Sequence, residues 1–67
     1  MKSFKVIYDE NGEFENIPKD PDKRLEEIIS LKNSGFTHVE DIWLTYYTGE
    51  TYTPVDVYIN TLIDNLP

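Results

Sequence analysis

The sequence predicts an α+β domain: an N-terminal β-hairpin followed by three short α-helices. Three observations lead there. The opening "SFKVIYDENGEFENI" alternates apolar and polar residues around an acidic Gly turn. The run "PDKRLEEIISLKN" begins with Pro and carries an apolar stripe at helical spacing. Two later segments, "THVEDIWLTYY" and "TPVDVYINTLI", repeat one amphipathic pattern.

The hairpin comes first. Phe4, Val6 and Tyr8 fall on one face of a strand, and Lys5 and Ile7 on the other. "DENG" places Asp at the first turn position and Gly at the last, the pattern of a type I turn closed by a left-handed Gly. The chain then returns through Phe14 to Ile17, leaving an acidic tip of Asp9, Glu10, Glu13 and Glu15.

Pro18 and Pro21 end the strand and mark a loop. Asp20 suits an N-cap with Pro21 at the first helical position, where its missing N–H costs nothing. Leu25, Ile28 and Ile29 form the apolar stripe, Lys32 sits at the electronegative end, and Gly35 stops the helix.

Thr37–Tyr47 and Thr53–Ile63 align residue for residue. Each opens with Thr and has an acid three residues later, the spacing of a capping box. Pro54 again fits the first helical position. The bulky residues are Val39, Ile42, Trp43, Tyr46 and Tyr47 in one copy, and Val55, Tyr58, Ile59, Leu62 and Ile63 in the other. Both sets follow one helical stripe, with Leu44 and Val57 off it. Gly49 stands where a helix-ending Gly belongs. A ββαββ arrangement with a second hairpin at Gly49 stays open. "IWLTYY" and "VDVYI" also alternate, and Thr and Tyr favour strands.

A chain of 67 residues bounds the rest to a single small acidic domain, residues 1–67. A domain this size buries only about 60% of its unfolded surface. With no Cys and one His, neither disulfides nor a zinc site of ordinary ligands can reinforce it, and no cofactor is expected. A homodimer is the remaining reinforcement. The sequence shows no apolar run of signal-peptide or membrane-span length, so a soluble, cytoplasmic protein without membrane contact is expected.

Charge is uneven. Residues 1–32 hold eight acids and all six bases, net −2; residues 33–67 hold five acids and no base, net −5. Such a half repels phosphate backbones and attracts a basic partner. Acidity that only keeps a small protein soluble is the plainer account.

Catalytic patterns are absent. The pairs Asp9/Glu10, Glu26/Glu27 and Glu40/Asp41 fall at a turn tip or on polar helix faces, where they stay solvated and ionised. "DPDKRLEE" lacks the Gly that a calcium loop needs at its sixth position, which is Leu25. His38, in the first turn of the expected second helix, suits a local hydrogen bond. Lys23 and Arg24 are flanked by acids and form no nucleic-acid patch. The protein is therefore expected not to be an enzyme.

Aromatic residues crowd the second half. Trp43, Tyr46 and Tyr58 are expected in the core, with Tyr47 and Tyr52 exposed. Exposed Tyr beside acids makes a contact surface for a basic partner. The expected partner-binding residues are Glu40, Asp41, Tyr47, Glu50 and Tyr52.

The order of hairpin, acidic "DENG" turn and amphipathic helix over residues 4–34 resembles the small acidic uracil-DNA glycosylase inhibitors of certain bacteriophages. It is also similar to the first half of a ubiquitin-like grasp. The likeness covers half of the chain and rests on element order, so no residue role is carried over. It implies that a chain of this size and charge can act as a protein inhibitor. The expected function is non-catalytic: a small acidic, DNA-mimic-like protein that inhibits or regulates a larger basic protein. That partner would be one that handles nucleic acid. Richness in Ile, Asn, Lys and Tyr suits a phage or mobile element of an AT-rich host. The alternative is a homo-oligomeric accessory protein whose aromatic stripe is its own seam.

Overall fold

The computed structural model describes residues 1–65. Its elements run β1 (Ser3–Lys5), α1 (Pro21–Asn33), β2 (His38–Glu40), α2 (Ile42–Thr48), β3 (Thr53–Pro54) and α3 (Val55–Asp64). The α+β class is as expected, but the chain builds a three-stranded sheet in the order β1-β2-β3, and of the expected N-terminal hairpin only the turn, one bridge and the backbone bonds beside it form.

β1 pairs in parallel with β2, with Phe4 opposite Val39, and β2 pairs antiparallel with β3, with Val39 opposite Thr53. The expected turn at "DENG" does form. Gly12 adopts φ 77°, and its N–H donates to the Asp9 carbonyl at 3.0 Å. Only one isolated antiparallel bridge follows, between Tyr8 and Phe14. The return arm never becomes a strand because Asn16 replaces it. The Asn16 side-chain amide accepts from Ile7 N–H at 2.9 Å and donates to the Lys5 carbonyl at 2.7 Å. One amide thus meets both backbone groups that a second strand would meet.

α1 follows its sequence signals. Asp20 caps it, accepting from Lys23 N–H at 3.1 Å, with Pro21 at its start and Lys32 in its last turn. Beyond the C-cap, Gly35 takes φ 103° and donates to the Lys32 carbonyl, while Phe36 N–H reaches the Leu31 carbonyl. This pair of bonds is a Schellman motif. Ile28 is fully buried and Leu31 packs beside the core, whereas Ile29, placed on the stripe by periodicity, is exposed.

Both Thr-led segments start their helices later than expected. Thr37, His38, Val39 and Glu40 precede α2 as extended chain, and Asp41 is its N-cap. The Thr37 hydroxyl donates instead to the Lys2 carbonyl. Thr53 lies buried in β3, and Pro54 precedes α3 with no side-chain cap. In both copies the first residues go to the sheet, where β2 pairs with β1 and β3 pairs with β2, so strand ladders take backbone groups that a further helical turn would have used. Gly49 does close α2, at φ 77°, so it ends a helix and does not turn a second hairpin.

The core is Val6, Ile17, Ile28, Val39, Val55 and Tyr58, with Phe4, Tyr8, Phe14, Leu31, Leu44, Ile59 and Leu62 packed against it. Val6 is buried while Lys5 and Ile7 are exposed, as the alternation predicts. No described helix is long and apolar enough to cross a membrane.

Candidate functional site

Asp41 joins the sheet to α2, and the residue is only 6% exposed. Its Oδ1 accepts from Trp43 N–H at 3.0 Å, which caps the helix, and from the Tyr8 hydroxyl at 2.7 Å. Its Oδ2 accepts from the Tyr58 hydroxyl at 2.8 Å. Three segments distant in sequence therefore meet on one carboxylate. Burial, reinforced by the Asp41 hydrogen bond and charge, pushes the Tyr8 phenol well above the usual tyrosine range. Burial and the Asp41 charge do the same to Tyr58. Sequence reasoning placed Asp41 on a solvated polar face. The structure corrects this: the carboxylate is buried, and phenols and backbone amides occupy its oxygens.

With Asp41 as cap, the rotation of α2 is fixed. Leu44 and Thr45 turn inward, and no residue of α2 is fully buried. Ile42 and Trp43 are half-exposed, and Tyr46 and Tyr47 are 80% and 78% exposed. Of the stripe expected to face the core, Val39 does so from β2, while Ile42, Trp43, Tyr46 and Tyr47 face solvent. Tyr58 is buried as expected, but Trp43 and Tyr46 are not core residues. Assuming the cap at Thr37 put the off-stripe Leu44 outside. The one signal for the other rotation was Asp41 itself, a strong N-cap residue directly before "IWL".

The outer face is an aromatic ledge. Tyr46 and Tyr47 meet edge to face, centroids 5.5 Å apart at 88°. Trp43 meets Tyr8 in the same manner at 6.0 Å and 87°. Tyr8 leads directly into the acidic turn of Asp9, Glu10 and Glu13, and Glu50 lies exposed just past the end of α2. Glu40 is half-buried in β2, opposite Lys5 of β1. Tyr52 is 39% exposed in the loop after Gly49. Of the five expected contact residues, Tyr47 and Glu50 lie on or beside the ledge, Tyr52 follows in the next loop, and Asp41 lies beneath it.

Other surface features are slight. A groove of about 270 Å³ between the end of α1 and the start of α3 is lined by Lys32, Phe36, Thr37, Val55 and Asp56. The Lys32–Asp56 ion pair, at 2.6 Å, lies along it. A second, of about 250 Å³, lies by Gly12, Glu13, Phe14, Lys19 and Arg24. Asp41 lines neither. His38, in β2 and not in a helix, lies 2.8 Å from the Thr37 hydroxyl through Nδ1. Among the described residues, no group of three or more His, Asp or Glu side chains is placed to hold a metal ion.

No protein-family model, no curated protein and no solved structure matches this chain. The functional reading therefore rests on the ledge and its surroundings.

Proposed function

We propose that this is a non-catalytic binding protein that docks a larger, basic protein through the outer face of α2. The observation that supports it is the ledge of Ile42, Trp43, Tyr46 and Tyr47, of which Tyr46 and Tyr47 are almost wholly exposed and Ile42 and Trp43 about half exposed. Exposed large aromatics on a helix are anchor material for an interface. Residues 33–67 add five acids and no base, so the ledge sits in a field that attracts positive charge. A second copy is the poorer occupant, because docking two such halves would bring net −5 against net −5. If the partner handles nucleic acid, the carboxylates stand in for phosphates, and the protein acts as a cytoplasmic inhibitor or regulator.

The test uses the protein as bait in lysate of its source cells, beside a Tyr46→Ala/Tyr47→Ala bait. The expected result is a basic protein retained by the first bait and not by the second. Once that protein is purified, its association should slow as salt shortens the Debye length below about 8 Å. Nucleic acid should compete with the bait for it. Equal retention by both baits overturns the assignment of the ledge. A concentration-dependent dimer in native mass measurements, lost in the double variant, gives the ledge to a second copy and also overturns it.

A further inference from the structure

We propose that the ledge is a guanidinium-binding surface: its partner presents at least two arginines, spaced about one helical turn apart. This rests on the docking reading above and names the chemistry of the partner. The first observation is how the fold treats two of its half-buried rings. Arg24 lies over the Phe14 ring, 4.4 Å from its centroid, and Lys2 Nζ lies over the Phe36 ring at the same distance. Those rings receive a cation from the chain itself. Trp43, Tyr46 and Tyr47 receive none, because all six bases lie at or before Lys32 and none stacks on α2.

The second observation is the shape of the ring faces. The edge-to-face contact of Tyr46 with Tyr47 sets the two ring planes at 88°, and both residues lie mostly in solvent. An open aromatic face attracts a cation through its negative quadrupole. Trp43 and Tyr47 are four residues apart, as are Ile42 and Tyr46, so the outer surface repeats at the ~5.4 Å helical pitch.

The third observation is where the acids lie. Glu50 follows α2 at one end; at the other, Trp43 touches Tyr8, which leads into the acidic turn, where Glu13 already pairs with Lys19 and Asp9 accepts from turn amides, leaving Glu10 beside them. A guanidinium satisfies both kinds of group at once. Its plane stacks on a ring while its edge N–H groups donate to a carboxylate. A lysine ammonium is held by its hydration shell and cannot stack flat. An apolar partner gains nothing from the acids, and a nucleic acid is repelled by them.

Two synthetic peptides of equal length and net charge test this, one carrying its basic residues as Arg and the other as Lys, paired at helical spacing. Binding is followed by calorimetry and by the fluorescence of Trp43, the sole Trp. At physiological salt the arginine peptide should bind about 5- to 30-fold more tightly, from cation–π contact at two rings. Tyr46→Ala should shrink that preference while leaving the salt-dependent attraction of both peptides. Equal affinity for the two peptides overturns the guanidinium assignment but leaves a basic partner standing. Binding of neither peptide overturns both. A preference that survives Tyr46→Ala and Tyr47→Ala together places the arginine site elsewhere and overturns the assignment to α2.

Discussion

The buried Tyr58 hydroxyl donates to Asp41 Oδ2 across 2.8 Å, and with it α3 is tied to the cap of α2. A helix of seven residues has no stability of its own in water. α2 holds its form because Asp41 caps it, Gly49 closes it, and Leu44 rests on the core. The ledge is thus positioned by a residue buried beneath it.

Removing that carboxylate should be severe. Asp41→Ala removes a cap, costing about 1 kcal/mol, and strands two phenols at about 1–3 kcal/mol each. A domain of this size is stable by only about 3–10 kcal/mol. We predict that Asp41→Ala is largely unfolded near body temperature, and that Asp41→Asn, which keeps one acceptor, is folded but melts several degrees lower. Thermal denaturation followed by circular dichroism checks both. An Asp41→Ala variant that melts with the parent would mean the network contributes little.

Alkali should unfold the protein through the same two phenols. Both have folded pKa values raised above the unfolded value of about 10. Their contribution is fully present below pH 10 and is lost as pH rises towards the folded values. In that window Tyr58 lowers stability by up to about 1.4 kcal/mol per pH unit, and Tyr8, which is partly open to water, by less. Tyr58→Phe and Tyr8→Phe should each flatten the fall. The check is denaturant unfolding at stepped pH, and a parent stability independent of pH above 10 would rule the linkage out.

The helix starts give a third prediction. Asp20→Ala should cost about 1 kcal/mol because it strips the acceptor from Lys23 N–H. Thr37→Ala should cost less than about 0.5 kcal/mol, since its residue is exposed and caps nothing. Chemical denaturation of the two variants decides it, and the reverse ranking would restore the cap at Thr37.

Surface anchors should separate binding from folding. Tyr46→Ala and Tyr47→Ala should change stability by no more than about 0.5 kcal/mol, because both side chains lie mostly in water. Each should speed dissociation from a partner, whereas Glu50→Lys should mainly slow association. Surface plasmon resonance resolves the two rate constants. A melting point that falls with either Tyr would place it in the core after all.

Local signals carried much of this fold. Asp20, Pro21 and Lys32 bounded α1, and Gly12, Gly35 and Gly49 each sit at positive φ where a turn or helix end was expected. The sheet was not legible. Phe4 and Val39 pair across 35 positions (39 − 4), and nothing in either tripeptide names the other as its partner. Thr37 and Thr53 carry real capping chemistry, but long-range pairing drew both into extended chain. The candidate site was half visible. Tyr47 and Glu50 were placed correctly near the surface, whereas Trp43 and Tyr46 were assigned to the core. Which way a short amphipathic helix rolls depends on what it packs against, and here that is Leu44 alone among its large apolar residues.

The parallel pairing of β1 with β2 also dictates an order of events as the chain folds. α1 and its Schellman close are local and can form within microseconds. Val6, buried to 1% exposure, gains its shelter only when the segment around Val39 arrives. Closing so long a loop is an entropic step that the rest of the core must follow. The N-terminal strand therefore gains its place only through that closure. A fragment ending before Thr37 would have no strand for β1 to join, and the apolar faces of Val6 and Ile28 would stay open to water.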